Sequence, residues 1–480
     1  MKHVSLKKNA ILNIIYKLSS LVFPLIVYPY VSRIIQATNM GTVSFYSSLT
    51  SYMVMLGSLG ITTYGIRTVA KVRDDNRELS IVTKELVIIN TVATALALGA
   101  LVVLVFFAPK FRQDVVLLAI SCVQIVMAPF GMEWLYSGLE QYEYITKRAI
   151  FVKVISLVLI FLFVREKEDY MVYAAITVFA YVGNYVFNLV HSRKFVDFHV
   201  KAKWQFKRHI KSVFVLFASI MAINIYTNVD TIMLGLINGN RAVGLYDVAC
   251  KGKWVLLYLV NAISTVLFPR LSYYLSEKDY KSYNNVLKKS ITTIMCIAIP
   301  LTLFFMLEAE YVVLFLGGED YVDAILCMQI LMPILVISGF SNITGNQILL
   351  PHGKEVAYLR AVVTGAVVDI FLNVLLMPKY SLYGAAIATL MAELAQMLMQ
   401  LYQSREYLNG NFDGKEVIKI GIASVVSVGV VFAFGKVFEG SGLVNLMVHF
   451  GVFIIIYFMM ALLFRVKIFV KVLKDLLLLL

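Results

Sequence analysis

Apolar stretches of roughly 20 residues recur along the whole chain, and no other feature narrows its choice of fold so far. Examples are ILNIIYKLSSLVFPLIVYPYV at 11–31, LVIINTVATALALGALVVLVFF at 86–107 and LVNLMVHFGVFIIIYFMMALLF at 443–464. At 1.5 Å per residue, about 20 helical residues cross a hydrocarbon core about 30 Å thick. Inside that core each backbone N–H and C=O must be satisfied by the chain itself, which leaves helices and closed barrels. The period-two alternation of a barrel strand is absent, so the expectation is an all-α polytopic membrane protein. Composition agrees: 60% of the 480 residues are hydrophobic and 15% charged, with a mean hydropathy of +0.81. A soluble domain does not read this way.

The segments predict fourteen helices, at 9–33, 42–66, 85–108, 114–138, 149–164, 170–190, 212–237, 243–269, 290–307, 323–350, 357–377, 380–403, 417–434 and 443–464. Turn chemistry separates them, as in ATNMGT, INGNRA, LGGEDY and LNGNFDG. The first apolar run has a basic flank like a secretion signal, yet it continues without a small-residue cleavage site. It reads as a retained span. Of the 43 Lys and Arg, 31 fall in one alternate set of loops and 8 in the other. That asymmetry places both termini in the cytoplasm of a cell membrane. It also accounts for the net charge of +14 as topology and anionic-lipid contact, so no nucleic-acid partner is expected.

Weak collinear echoes suggest an internal repeat. KRAIFVKVISLVLIFLF (147–163) resembles LRAVVTGAVVDIFLNVL (359–375), YAAIT (173–177) resembles GAAIAT (384–389), and MGTVSFY (40–46) resembles VGLYDVA (243–249). We therefore expect two six-helix lobes related by pseudo-two-fold symmetry, at 1–208 and 209–403. Residues 404–480 add helices 13 and 14 and an amphipathic tail, RVKIFVKVLKDLLLLL, lying on the inner surface.

Four cations remain inside helices: Lys17, Lys153, Lys251 and Lys253. A charge at such depth is costly and marks a cavity or a partner. Lys251 lies roughly 12 Å into its helix, and Lys253 points about 200° away from it. Asp230 lies about as far before the 7–8 turn as Lys251 lies after it, so an antiparallel pair would bring them to one depth. One aspartate does not neutralise both lysines; the other is left for water, another acid or an anionic ligand. Lys17 precedes Pro24 and Pro29, which would bend helix 1, either to line a cavity or only to pack. The embedded acids are Glu133, Asp230, Asp369 and Glu393. Asp369 and Glu393 either bind a coupling H⁺ or Na⁺ or form a structural pair. Asn224, Asn228, Asn342, Asn346 and Gln347 read first as helix–helix hydrogen-bonding groups. Cys122, Cys250, Cys296 and Cys327 read as small core residues, with no metal-ligand spacing. Glu308, Glu310, Glu319, Asp320 and Asp323 read as a solvated outer edge. A P-loop is absent and the outer loops are short, so we expect no enzyme and no direct ATP drive.

FPLIVYPYVSRII with SLGITTYGIRTVAKVRD, then VDTIMLGLINGNRAVGLYDVACK, then FLNVLLMPKYSLYGAAIATLMAE stand in order over roughly 9–403. Together they resemble the bacterial polysaccharide flippases of the multidrug/oligosaccharidyl-lipid/polysaccharide exporter superfamily. The resemblance implies two bundles around a central cavity. Its implied substrate is an oligosaccharide on undecaprenyl diphosphate, moved from the inner to the outer leaflet by alternating access for capsule, O-antigen or exopolysaccharide assembly. A polysaccharide polymerase and chain-length machinery would be partners, besides membrane lipids. Lys17, Lys251 and Lys253 would meet the diphosphate, with Arg33, Arg67 and Arg270 at helix ends. Helices 13 and 14 would shelter the polyprenyl tail. The rival readings are a lipid II flippase, a cation-coupled drug antiporter relying on Asp230, Asp369 and Glu393, and, less favoured, a membrane polymerase.

Overall fold

The computed structural model describes residues 6–201, 203–408, 410–436 and 442–471. Among them there is no strand. The chain divides into two compact units, Met1–Leu236 and Ile237–Leu480. The first carries α1 (Leu6–Ser58), α2 (Ile61–Val72), α3 (Asn76–Phe107), α4 (Val115–Met127), α5 (Glu133–Gly138), α6 (Tyr142–Phe163), α7 (Tyr170–Ser192) and all but the last residue of α8 (Lys207–Ile237). The second carries α9 (Asn240–Ser276), α10 (Tyr280–Leu307), α11 (Ala309–Leu316), α12 (Ala324–Leu331), α13 (Ile334–Asn342), a π-helix (Ile343–Leu349), α14 (Glu355–Leu408), α15 (Gly414–Gly435) and α16 (Gly442–Leu463).

Among the described residues, ten helical stretches are long and apolar enough to cross a bilayer. Two of them are too long for one crossing. α1 has 53 residues and α14 has 54, so each would run about 80 Å if straight. Each breaks at one residue with positive φ, Gln36 (φ 64°) and Ser381 (φ 51°). The expectation of fourteen spans counts both arms of α1 and of α14, and adds α6 and α8. α6 is 22 residues long and carries Lys147, Arg148 and Lys153, which keeps its mean composition more polar. The predicted second helix (42–66) is broken at Leu59 and Gly60, both at positive φ. Gly60 is required there twice over. Its φ is 76°, and a Cβ would stand 2.8 Å from the Phe217 backbone nitrogen of α8.

Aspartates start several helices by accepting from the first free N–H groups. Asp75 accepts from Arg77 and Glu78, Asp114 from Leu117, and Asp279 from Ser282. In the first unit a buried ionic network fastens α8 to α3 and α2. The Glu85 side chain is wholly buried; it accepts from Gln205 N at 2.6 Å and Arg208 Nη2 at 2.6 Å, and stands 2.8 Å from His209 Nε2. The Tyr64 hydroxyl meets His209 Nδ1 at 2.9 Å, and Arg208 Nη1 reaches Glu78 at 2.6 Å.

In the second unit the arms of α14 turn on a glycine. A Cβ on Gly384 would lie 2.6 Å from Leu376 O and 2.9 Å from Met377 N. Backbone atoms cannot swing aside, so Gly384→Ala should destabilise the unit by about 1–3 kcal/mol, read as a lowered melting temperature in detergent. An unchanged melting temperature would contradict that packing.

One sequence expectation needs correction. Glu308 is no solvated edge: it is 4% exposed and bound to buried His449 of α16 at 3.0 Å. Asp320 pairs with Arg241 at 2.7 Å, with Asp323 also near at 3.9 Å. The amphipathic tail lies mostly beyond residue 471, outside the described residues. Its beginning is pinned: Lys467 N donates to Glu416, and Lys467 Nζ meets Asp413 at 2.7 Å. That ammonium holds the Asp413 carboxyl below the usual carboxylate range, with help from the Glu416 N–H. A depressed pKa stabilises above the unfolded value of about 3.9 and fades as pH falls through the folded value. Lys467→Ala should therefore expose 464–471 to protease at neutral pH as much as acid exposes it in the unaltered protein.

Candidate functional site

The predicted cationic residues separate into distinct environments. Lys251 and Lys253 sit on α9, about 16 and 20 Å from its start at 1.5 Å per residue. The Lys251 side chain is 47% exposed and lies 3.8 Å from Asp247, one turn back. The sequence reading passed over Asp247, although its i,i+4 spacing is the ordinary signal for such a pair. Lys253 is 5% exposed, and its ammonium sits 5.5 Å from the Trp254 ring centroid. Among the described residues no carboxylate is in salt-bridge range of it. Two residues of separation on a helix produce this contrast, one lysine half open and its neighbour enclosed.

Lys17, Arg33, Arg67 and Arg270 are all exposed. Arg33 stands just before the break of α1 at Gln36. Arg270 is steadied by Tyr274, donating to its hydroxyl at 3.1 Å with the ring 5.7 Å away. Pro24 and Pro29 lie inside the first arm of α1, whose backbone angles stay helical through both and leave the helix only at Gln36.

Of the acids, Asp230 is buried on α8 at 3% exposure. Asp369 and Glu393 lie on opposite arms of α14, twelve residues before and after Ser381, hence at one depth. The arms touch there: a Cβ on Gly365 would meet Ala392 O at 3.2 Å and Gln396. Asp369 and Asn373, one turn apart, are both fully buried, while Glu393 is half-buried. Among the described residues no three His, Cys, Asp or Glu converge as a metal site would need.

The amides do what their position suggests. Asn342 donates to Asn261 at 2.6 Å, Asn346 to Asn342 at 2.7 Å, and Gln347 to Ser264 at 2.7 Å. Ser341 and Thr344 donate to Gln400 at 2.7 and 2.9 Å. These bonds gather α9, α13 and α14 around the π-helix, a local widening that apolar periodicity does not reveal. The side chains of Asn224 and Asn228 lie outside the described residues.

The first unit holds a constellation that the sequence reading divided. Arg148, counted there with loop cations, is on α6 and 5% exposed. It faces Glu133 at 3.4 Å and donates to Asn188, and Tyr16 donates to Glu133 at 3.0 Å. Lys153, one and a half turns on, donates to Ser19 and Ser20 at 3.0 and 2.8 Å. Its membership was hidden because hydroxyls, not a carboxylate, hold it.

A family model described as polysaccharide biosynthesis protein matches residues 6–275, and one described as MatE matches 216–375. A protein of Escherichia coli (strain K12) provisionally named an O-antigen transporter is 24% identical over 402 residues, spanning 83% of this chain and 97% of that protein. Among solved structures, the lipid II flippase MurJ in an inward closed conformation aligns with a TM-score of 0.72 at 15% identity, over 95% of this chain and 99% of that one. An inward-facing multidrug resistance MATE family transporter of the MOP superfamily aligns at 0.62 and 14% identity, over 81% and 94%. At these identities the two structures establish a shared fold, all-helical and two-lobed.

Proposed function

This chain belongs to the polysaccharide biosynthesis protein family, and on that premise we propose that it is a flippase for oligosaccharide repeat units carried on undecaprenyl diphosphate. It would sit in the bacterial inner membrane with both termini in the cytoplasm and move its substrate outward by alternating access. The observation that carries this reading is Lys253. An ammonium about 20 Å along a membrane helix, 5% exposed and without a carboxylate among the described residues, is matched to an anion that arrives and leaves. Lys251 stands beside it, half open. Lysine contributes a point charge rather than a bidentate fork, which suits a phosphate passing through several positions. Lys17, Arg33, Arg67 and Arg270 would serve as entry and headgroup contacts.

Deletion of the protein tests the proposal. Undecaprenyl-diphosphate repeat units should build up on the cytoplasmic leaflet. A second reading, a cation-coupled drug antiporter, is favoured by the MatE match over 216–375 and by the buried Asp369. In that case the deletion strain becomes sensitive to cationic drugs without accumulating lipid-linked sugar, and the ion-coupling candidates are Asp230 in the first unit and Asp369 and Glu393 in the second. In the flippase reading the same three acids are candidates for binding a coupling H⁺ or Na⁺.

A further inference from the structure

The diphosphate reading leaves the ionic cluster around Glu133, in the first unit, without a role. Two cations of α6 attend this single carboxylate. Arg148 Nη2 lies 3.4 Å from Glu133 Oε2, and Lys153 feels the same charge from its seat on Ser19 and Ser20. The cluster is therefore one positive charge in excess, inside membrane-spanning helices.

Three details separate it from a structural ion pair. The first is exposure: the Glu133 side chain is 44% exposed, while that of Arg148 is 3%. Hydrocarbon does not solvate a carboxylate, so the open edge faces water. The second is looseness. Arg208 and Glu85, in the same unit, meet at 2.6 Å, the spacing of a charge-assisted bond, whereas Arg148 and Glu133 stand 3.4 Å apart. The third is that both cations are held without Glu133. Arg148 is fixed by Asn188, which in turn donates to Gly131 O, and its buried Nε has no hydrogen-bond partner among the described residues. Lys153 rests on two hydroxyls and on the faces of Tyr16 and Phe23. The donors keep their places if the carboxylate moves away.

We propose that Arg148 and Lys153 form an anion site for phosphate or carboxylate oxygens of the transported lipid-linked glycan, with Glu133 as the resident counter-ion that the ligand displaces. Tyr16, which donates to Glu133, releases that bond in the exchange and offers its hydroxyl to the ligand. The inference rests on the flippase reading and deepens it: a second anion contact lies in the first unit, apart from the lysines of α9. Two sources supply the chemistry, the diphosphate linkage or an acidic sugar.

Titration of the full-length protein in detergent tests it, with farnesyl diphosphate as one probe and glucuronate as the other. Glu133→Gln removes the internal competitor and should tighten binding about tenfold, the scale of one charge-assisted hydrogen bond. Lys153→Gln should weaken binding of the same probe about tenfold. The responding probe identifies the source. A structural pair would move both variants in one direction or leave affinity unchanged, and either result overturns the proposal. If Glu133→Gln does not fold, Lys153→Gln decides alone, because Arg148 and Glu133 remain paired in it; affinity within twofold of the unaltered protein for both probes then overturns the proposal. Failure here would leave the parent reading standing wherever the deletion strain still accumulates lipid-linked sugar.

Discussion

Glu85→Ala should cost the first unit about 3–5 kcal/mol, the usual penalty for removing one partner from a buried ionic network. The cost comes from what the carboxylate holds. Its side chain has no exposure, and it satisfies the Gln205 amide, the Arg208 guanidinium and the His209 ring at once. With it gone, Arg208 keeps Glu78, itself partly exposed, and His209 keeps Tyr64 and the Arg208 Nε donor at 3.2 Å. Of this network's ties between α8 and α3, the partly exposed Arg208–Glu78 pair is then what remains. Thermal unfolding in detergent is the measurement, with Arg208→Ala beside it. Arg208 is 32% exposed and should cost less, since its removal leaves Glu85 with two donors. A loss below about 1 kcal/mol for Glu85→Ala would mean that the network behaves like a surface pair.

Lys253→Met should leave folding intact and lower translocation by roughly ten- to a hundredfold. Methionine matches the length of the lysine stem and relieves a buried charge, so a purely structural site would be stabilised by it. Transport would fall because a hydrogen bond to a charged ligand is worth about 1.5–3 kcal/mol. Lys251→Met should cost less, since Asp247 already shares that ammonium. Accumulated lipid-linked oligosaccharide in complemented deletion strains reads both. Full complementation by Lys253→Met would remove this lysine from the mechanism.

The membrane class and the helical spans were plain from hydropathy, because a bilayer tests each segment by its own length and polarity. The segment ends were less so. Asp75 caps α3 ten residues before its predicted start, since the polar first turns of α3 lie outside the apolar run. The breaks at Gln36 and Ser381 are single backbone torsions, invisible to a composition window. The lysines of α9 were legible because a cation in an apolar run stands out. Arg148 was not, because it follows Lys147 at a helix start and reads as another loop charge. Glu308 failed for the opposite reason: it sits among exposed acids in sequence, while His449, which accounts for its burial, is 141 residues away.

The π-helix at Ile343–Leu349 has a consequence for how this segment can vary. A π turn is an α turn holding one residue too many. Deleting a single residue there would leave a continuous helix, so the lesion would be silent in hydropathy and in helical content. The loss would be absorbed within that turn, because α13 before it keeps its register and the chain turns at 350–353 directly after it. Gln347 would turn away from Ser264, Thr344 from Gln400, or both, according to where the residue was lost. The surplus residue thus sets which side chains of this one turn reach across to α9 and α14.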